Sequence, residues 1–261
     1  MLHLQHIGFR ILYGMSLQKR KSGMENKKIV VLSGSGISAE SGIATFRGGN
    51  GLWDNEPVEA VATNYGWSRD PMRVLRFYNK LRADLANAQP NDAHRIVARL
   101  EKDYDVCVVT QNVDNLHERA GSTNIIHLHG ELTKSRPEDT YCEMDNYSER
   151  YVKDIGYGPI LYGETGGPHN TQMRPHIVWF GEQVPNLSKA ADAVSKADIL
   201  LIIGTSLQVY PAAGLYHYAP AGCRIYMIDP DESAAAHVSG VVHIKDVATA
   251  GMRKFMELIE N

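Results

Sequence analysis

The sequence predicts an α/β protein built on a doubly wound parallel sheet, and three observations lead to this prediction. Short β-rich runs alternate with helical patterns along much of the 261-residue chain, as expected for parallel strands joined by right-handed crossovers. The apolar run 28–33 leads directly into the turn Gly34-Ser35-Gly36 and a helix start. Polar motifs follow several of the strands, where ligands of such sheets bind. A Rossmann-like sheet accounts for all three observations.

The individual elements follow from the same patterns. β-rich runs occupy residues 28–33, 105–110, 123–127, 176–180, 198–203, 224–228 and 241–244. Helical patterns occupy residues 71–88, 92–102, 187–197 and 249–259. Two stretches do not fit the alternation. Residues 48–89 are helical and rich in aromatic side chains, and residues 132–174 have no clear period and many Gly, Pro, Asn and Asp residues.

Composition narrows the classes of function. The formal net charge of −3 gives no indication of a nucleic acid or an anionic membrane as a partner. No apolar run approaches the roughly 20 residues that a transmembrane helix needs. The three cysteines, Cys107, Cys142 and Cys223, lie far apart and form no Cys-x-x-Cys pair. This usage favours a reducing, cytoplasmic setting, with Cys107 as a buried strand residue.

The N-terminal 23 residues are basic and contain neither Asp nor Glu. One interpretation is a transit peptide, which has this composition. The other is an upstream start codon, since Met24 directly precedes the Glu-Asn-Lys-Lys lead into the first strand. The second interpretation is favoured, and residues 1–24 are treated as an N-terminal extension outside the fold.

The glycine turn after the first predicted strand indicates a nucleotide site. Glycines let the backbone approach a ligand closely, and the free N–H groups of a helix start bind a diphosphate. An ordinary tight turn is the alternative. The dehydrogenase fingerprint requires Gly-x-Gly-x-x-Gly and a later acidic residue. Here the third glycine, Gly42, comes too late, and Phe46, Arg47 and Trp53 stand where a second strand would begin. The turn is therefore Rossmann-like, but it is expected to bind its cofactor in a pose different from that in dehydrogenases.

Four further segments accompany the glycine loop, at residues 110–117 (TQNVDNLH), 127–131 (HLHGE), 174–182 (RPHIVWFGE) and 204–212 (GTSLQVYPA). In this order and spacing they resemble the sirtuins, the NAD-dependent protein lysine deacylases, over about residues 28–250. Thr45 and Gly51-Leu52-Trp53 look most like the bacterial class III branch. The resemblance implies a catalytic domain over residues 25–261, in which insertions at about 48–89 and 132–174 build a smaller second domain.

The resemblance also implies a reaction. The acyl oxygen of an acyl-lysine attacks C1′ of the nicotinamide ribose of NAD, nicotinamide leaves, and a base deprotonates a ribose hydroxyl that attacks the new carbon centre. The products are free lysine, O-acyl-ADP-ribose and nicotinamide. The implied partners are acylated lysine side chains of proteins, with neither nucleic acid nor membrane. A mono-ADP-ribosyltransferase with the same C1′ chemistry and a non-catalytic NAD-binding module remain alternatives.

The implied catalytic residues are His129, Asn112 and Asp114. A histidine suits the base because its pKa lies near working pH. His127 shares a strand face with His129, so a His-x-His metal pair is the alternative; no nearby carboxylate cluster is expected to support a metal. Asn112 and Asp114 are expected to line the nicotinamide pocket, although both residue types also suit a helix cap.

Further residues are matched to the cofactor and to the substrate. The expected cofactor-binding residues are Gly34, Ser35, Gly36, Glu40, Thr45, Phe46, Arg47, Gln111, Asn112, Asp114, Gly204, Thr205, Ser206, Asp229 and Ala248. The expected substrate-binding residues are Tyr78, Val178, Trp179 and Phe180. An extended peptide is expected to add as a strand along 178–182. Trp179 and Phe180 would wall an acyl-lysine tunnel, unless one of them is ordinary core.

One departure from the family concerns zinc. Sirtuins usually carry two Cys-x-x-Cys pairs in the second insertion, whereas this chain has only Cys142 there. Cys142, His169 and His176 do not reach the four ligands of tetrahedral zinc, so no metal is expected. The same segment holds the tyrosines Tyr141, Tyr147, Tyr151, Tyr157 and Tyr162. Their burial could replace the stabilisation that zinc supplies, or the rings are half-exposed.

A second departure concerns the acyl group. Class III sirtuins that remove acidic acyl chains carry Tyr-x-x-Arg on the helix of the first insertion. Here Tyr78 matches, Leu81 takes the arginine position, and Arg82 comes one residue later. One residue is a displacement of about 100° around a helix axis. The sequence therefore predicts a preference for neutral acyl groups, acetyl or longer, over succinyl.

Overall fold

The computed structural model describes residues 27–45, 56–139 and 147–260. The strands within this part are Lys28–Ser33 (β1), Asp105–Thr110 (β2), Ile125–His127 (β3), Gly130–Pro137 (β4), Lys153–Asp154 (β5), Thr165–Gly166 (β6), Thr171–Ile177 (β7), Ile199–Ile203 (β8), Arg224–Ile228 (β9) and Val242–Ile244 (β10). The six strands β10-β9-β8-β1-β2-β3, in that order, form one sheet in which every pair is parallel. The predicted doubly wound parallel sheet is confirmed.

The α-helices in the described ranges are Gly36–Ala39 (α1), Val58–Val61 (α2), Asn64–Arg69 (α3), Pro71–Asn87 (α4), Asp92–Leu100 (α5), Leu116–Ala120 (α6), Tyr147–Arg150 (α7), Leu187–Val194 (α8) and Ala248–Glu260 (α9). Short 3₁₀ helices cover Ala212–Tyr218 and Glu232–Ala235. None of the helices described is long and apolar enough to cross a bilayer.

Both faces of the parallel sheet are covered, so its strands are apolar runs without alternation. Ile29 and Val31 of β1 belong to a core that includes α5 and α9. Val30 and Leu32 belong to the opposite core, which includes α8 and the first 3₁₀ helix. All four of these β1 side chains are fully buried. The central position of β1 in both cores fixes the turn that follows it.

The strand order reverses at β1. From β1 the chain runs outward through β2 and β3, and it later returns to the other side of β1 with β8, β9 and β10. At such a reversal the loops beyond the carboxyl ends of neighbouring strands diverge and leave a crevice, which is where these sheets bind ligands. Here the two loops are those after β1 and β8, at Gly34 and Gly204.

A second, antiparallel sheet of β5-β4-β7-β6 lies apart from the first. Its apolar core joins helices α2–α4 to strands β4 and β7, with Trp67, Leu75, Ile160, Met173 and Trp179 among its buried members. Both irregular sequence stretches thus contribute to one core, as a second domain built from two insertions requires. The exact domain bounds stay a prediction.

The strand predicted over residues 176–180 lies at a different position in the structure. The observed strand is Thr171–Ile177, and it belongs to the antiparallel sheet. Beyond Ile177 the backbone leaves that sheet, because Trp179 N–H donates to the Glu182 carboxylate at 2.8 Å and Phe180 N–H donates to Ala62 O at 2.9 Å. The apolar run of Val178 to Phe180 therefore reflects a cavity wall, described below.

The second insertion is held together by side-chain amides within the described residues. The Asn79 side chain forms two hydrogen bonds with the backbone of Ile160: it donates to the carbonyl at 2.9 Å and accepts from the N–H at 3.0 Å. Gln172 bridges Leu161 O at 2.9 Å and Gly163 N–H at 2.6 Å. Of the two alternatives for the tyrosines of this insertion, exposure applies to Tyr157 and Tyr162, which are 40% and 63% exposed. Tyr141, Cys142 and the Tyr147 side chain lie outside the described residues.

Candidate active site

The crevice at the head of β1 is lined by backbone. Gly36 N–H donates to Gly204 O at 2.9 Å, so the two glycine loops touch directly. A Cβ on Gly36 would lie 2.7 Å from the Gly204 Cα, which no side chain tolerates. Gly204 itself has φ +63°, a left-handed conformation. These glycines keep open a cavity of about 570 Å³, a size that suits a small-molecule or cofactor site.

Most of the predicted site residues meet around this cavity. Its lining includes Gly34, Ser35, Gly36, Glu40, Thr45, Gln111, Asn112, His129, Gly204, Ser206, Asp229 and Ala248, together with Tyr78, Val178, Trp179 and Phe180. Thr205 instead accepts a hydrogen bond from the Gln111 side-chain amide at 3.0 Å. Glu40 also anchors the start of α9 by accepting from Thr249 N–H and Oγ1. Phe46 and Arg47 lie outside the described residues.

Asp114 lines a neighbouring cavity of about 410 Å³ that shares Ser35 and Asn112 with the first. The Asn112 Nδ2 donates to Ser38 Oγ at 3.2 Å, and Ser38 Oγ donates to Asp114 Oδ2 at 2.9 Å. Burial raises the pKa of Asp114, and the hydrogen bonds from Leu116 N–H and Ser38 Oγ, which lower it, offset only part of this effect. The buried Asn112 Oδ1 has no hydrogen-bond partner among the described residues, so it can accept from a ligand.

His129 presents one defined nitrogen to the main cavity. Its Nδ1 lies 3.0 Å from Gln111 O. A carbonyl only accepts, so Nδ1 carries the proton and Nε2 keeps its lone pair. Burial lowers the pKa of His129, and the bond to the Gln111 carbonyl offsets only part of that effect. The ring is therefore neutral at neutral pH, as a general base must be.

The apolar end of the cavity is built around Trp179, which is 2% exposed. Its indole N–H donates to Tyr78 Oη at 3.0 Å. The Arg174 guanidinium stacks 3.2 Å from the indole ring centroid. Phe180 is 45% exposed and lines the cavity as well. Trp179 is thus a core residue that also forms part of the cavity wall, and its role in an acyl-lysine tunnel stays a prediction.

A buried ion cluster that the sequence analysis missed supports this wall. Glu182 accepts from Arg174 at 2.7 Å and from Arg136 at 3.3 Å, and it also accepts from Trp179 N–H. Burial raises the Glu182 pKa, but Arg174 and Arg136 outweigh it and the net shift is downward. Arg174 and Glu182 are the first and last residues of the RPHIVWFGE segment. Two opposite charges at the ends of an apolar segment were the sequence feature that could have predicted this ion pair.

From the sequence, no carboxylate cluster is expected to support a metal beside His127, and the structure places two carboxylates there. Ligand atoms of Glu118, His127 and Glu131 all lie within 4.8 Å of one another. Glu118 is engaged with His127 Nε2 at 2.7 Å, and Glu131 is engaged with the Lys134 ammonium. The three residues and Lys134 thus take part in two ion pairs, Glu118 with His127 and Glu131 with Lys134.

The fold and the cavity define an α/β protein of the Rossmann-like class, with a crevice at the carboxyl ends of its parallel strands that continues into an apolar cleft. Comparison with known families makes this specific. The model of the Sir2 family matches residues 34–211, and this chain belongs to that family. An NAD-dependent protein deacylase of Bacteroides thetaiotaomicron is 50% identical over 236 residues, 89% of this chain and 98% of that protein. One from Helicobacter pylori is 48% identical over 235 residues, 90% and 98% of the two chains.

Solved structures agree with the family assignment. A Sir2 homologue in complex with NAD is 36% identical, with a TM-score of 0.77 over 90% of each chain. A mutant Sir2 homologue in complex with ADP-ribose has a TM-score of 0.79 at 36% identity, over 90% of this chain and 93% of that one. A complex of Sir2 with a p53 peptide and NAD⁺ has a TM-score of 0.71 at 28% identity, over 90% and 95%.

Proposed function

We propose that this protein removes acyl groups from lysine side chains of other proteins, with NAD as the co-substrate. The class of activity is NAD-dependent protein deacylation, the name of relatives 48–50% identical over about nine-tenths of this chain. The observation that carries the proposal is the placement of His129. Its free Nε2 belongs to a ring that lines the same cavity as the Gly34–Gly36 turn and the Trp179 wall.

The residues present fit NAD. The contact between Gly36 and Gly204 leaves bare backbone where a diphosphate can approach, and the unpartnered Asn112 Oδ1 suits a carboxamide donor. Ser35, Gln111, Ser206 and Asp229 would add polar contacts along the crevice. When bound, NAD supplies an electrophilic ribose carbon with nicotinamide as the leaving group, and ribose hydroxyls that receive the acyl group.

His129 would act as the base of the reaction. Nε2 takes the proton of a hydroxyl placed against it, and the ring becomes an imidazolium. The Nδ1–H bond to Gln111 O fixes the tautomer and the ring plane before the proton arrives. Asp114 supports this arrangement indirectly, because it holds Ser38 and through it the Asn112 amide that separates the two cavities.

The acyl-lysine would enter along the 178–180 segment. Val178 N–H already donates to His129 O at 2.9 Å, and Phe180 N–H to Ala62 O. A substrate strand must therefore pair through other backbone groups of the segment. Tyr78, Leu81 and Trp179 line the cavity. Arg82 donates instead to Leu132 O at 2.6 Å and to Asn79 Oδ1 at 2.7 Å. This arrangement supports a preference for neutral acyl chains.

The proposed setting of the enzyme is the cytoplasm, and it rests on the free thiols. Cys107, which is buried in β2 as expected, and Cys223 are both unpaired, as a reducing compartment requires. The partners proposed are acylated lysines of proteins, and the whole of residues 25–261 is proposed as one catalytic domain.

Mass spectrometry of an acetyl-lysine peptide incubated with the protein and NAD tests the proposed function. Loss of the acetyl group with equimolar nicotinamide release supports deacylation. Gain of ADP-ribose by a protein or peptide would identify the mono-ADP-ribosyltransferase alternative instead. An unchanged peptide despite measurable NAD binding would identify a binding module and overturn the proposal.

A further inference from the structure

The loop after β2 is held by its carbonyl groups. Gln111 O accepts from His129 Nδ1 at 3.0 Å, Asn112 O accepts from His127 Nδ1 at 3.2 Å, and Val113 O accepts from Leu132 N–H at 2.8 Å. Three successive carbonyls therefore point at the segment that carries the catalytic histidine. The middle one belongs to Asn112, whose side chain lines both cavities.

His127 faces acceptors at both ring nitrogens. Nδ1 faces Asn112 O, and Nε2 lies 2.7 Å from Glu118 Oε1. The His127 side chain is 10% exposed and the Glu118 side chain 38%, so the Asn112 carbonyl is the partner that water does not replace freely. A neutral imidazole has one donor and one acceptor nitrogen, whereas an imidazolium has two donors. Only the imidazolium satisfies both oxygens.

The charges around His127 favour that form. The titratable and charged groups that face the ring or its partners are Asp114 in the loop, His117 and Glu118 on α6, Glu131 and Lys134 on β4, and His176 on β7. Burial lowers the His127 pKa, but the hydrogen bond and charge of Glu118, with Glu131 and the Asn112 carbonyl, outweigh burial and raise it above the ordinary 6.5.

We propose that His127, kept as an imidazolium by Glu118, is a positioning residue that fixes Asn112 between the two cavities. Loss of one ring proton leaves a nitrogen lone pair facing either Asn112 O or the Glu118 carboxylate. The hydrogen bond at that nitrogen is then lost, and the His127 ring no longer holds the 111–113 loop in place. This inference rests on the proposed function, because Asn112 matters for turnover only if the site is catalytic.

The consequence is a falling alkaline limb in the pH profile of kcat/KM. His127 works when protonated, so activity is lost as pH rises through its raised pKa. His129 works when neutral, so activity is lost as pH falls through its lowered pKa. The two limbs thus belong to two histidines on the same short segment.

Substitutions at Glu118 and His127 test the assignment. Glu118→Gln removes a charge-assisted hydrogen bond, and we expect its alkaline limb to begin at lower pH, with kcat/KM on that limb reduced about tenfold. In His127→Asn an amide donor replaces Nδ1–H without a titratable group, and we expect the alkaline limb to disappear. The matched control is Asp139→Asn, which removes the carboxylate from the exposed His169 pair at 2.8 Å and should leave the profile unchanged.

Nuclear magnetic resonance supplies a readout that does not depend on turnover. The side-chain amide signal of Asn112 should move with the same midpoint as the His127 ring in the wild type, and both midpoints should fall together in Glu118→Gln. An Asn112 signal that ignores the His127 titration, or a Glu118→Gln profile that superimposes on the wild type, would overturn the inference. Absence of any deacylation with the NMR coupling intact would count against the proposed function alone.

Discussion

The Nδ1 of His129 lies 3.0 Å from the main-chain oxygen of Gln111, and this bond determines which ring nitrogen is basic. The Gln111 carbonyl sits at the end of β2, and His129 follows β3, the parallel neighbour of β2. The register of the sheet therefore sets the tautomer of His129, the proposed base. Any slip between these two strands would turn the lone pair away from the cavity.

Activity should fall on the acid side with a midpoint below 6.5. Burial lowers the His129 pKa from that ordinary value, and only the neutral ring accepts a proton. Activity is thus present above the lowered pKa and lost below it. The measurement is kcat/KM for an acetyl-peptide across pH, which reports groups of the free enzyme. A midpoint above 6.5 would contradict the buried, neutral base.

Arg82→Met should destabilise the fold without changing acyl selectivity. The guanidinium is fully buried and bonds to Leu132 O and Asn79 Oδ1. Burial lowers the pKa of Arg82 to about 10, so it stays charged at neutral pH. Removing it takes the Arg82 donor away from the buried Leu132 O, at about 1–3 kcal/mol, while Asn79 Oδ1 keeps its bond from Ile160 N–H. Urea unfolding measures the loss, with exposed Arg76→Met on the same helix as the control. A changed ratio of acetyl to succinyl turnover would place Arg82 in the acyl site.

Acetyl-lysine should be a better substrate than succinyl-lysine in one peptide sequence. A succinyl carboxylate beside Leu81 would lack a charge-assisted partner, at about 2–3 kcal/mol. Leu81→Arg restores a guanidinium to the family position on the cavity wall, and we expect it to raise kcat/KM for the succinyl peptide. If the wild-type protein preferred the succinyl peptide, another cationic side chain would have to bind the succinyl carboxylate.

The purified protein should contain no stoichiometric zinc, and a chelator should leave its Tm unchanged. The hydrogen bonds of Asn79 to Ile160, and of Gln172 to Leu161 and Gly163, stabilise the second insertion. A structural zinc contributes on the order of 10 kcal/mol to folding, so its removal would be plain in a melting curve. One zinc per chain by elemental analysis would refute the expectation.

The sequence predicted the parallel sheet well because its strands are continuous apolar runs. Strands β1, β2 and β9 begin and end at the predicted residues. The strand Thr171–Ile177 was missed because most of its residues are polar and show no clear alternation with apolar ones. The apolar Val178 to Phe180 run was mistaken for a strand because cavity walls and buried strands share the same residue types.

Long-range charge pairs lay beyond sequence reasoning. Glu182 meets Arg136 across 46 positions of the chain, and no local pattern joins them. His127 and Glu118 are nine positions apart but belong to a strand and a helix. Their contact depends on how α6 packs beside β3, which is a property of the folded chain.

The measurement that tests the account most directly is single-residue replacement of the proposed base. His129→Ala should lower kcat for NAD-dependent deacetylation by about 10² to 10⁴, while calorimetry shows NAD binding retained and the circular dichroism spectrum unchanged. His169→Ala, which removes an exposed histidine, should retain wild-type turnover as the matched control. Near wild-type deacetylation by His129→Ala would contradict the assignment of His129 as the general base.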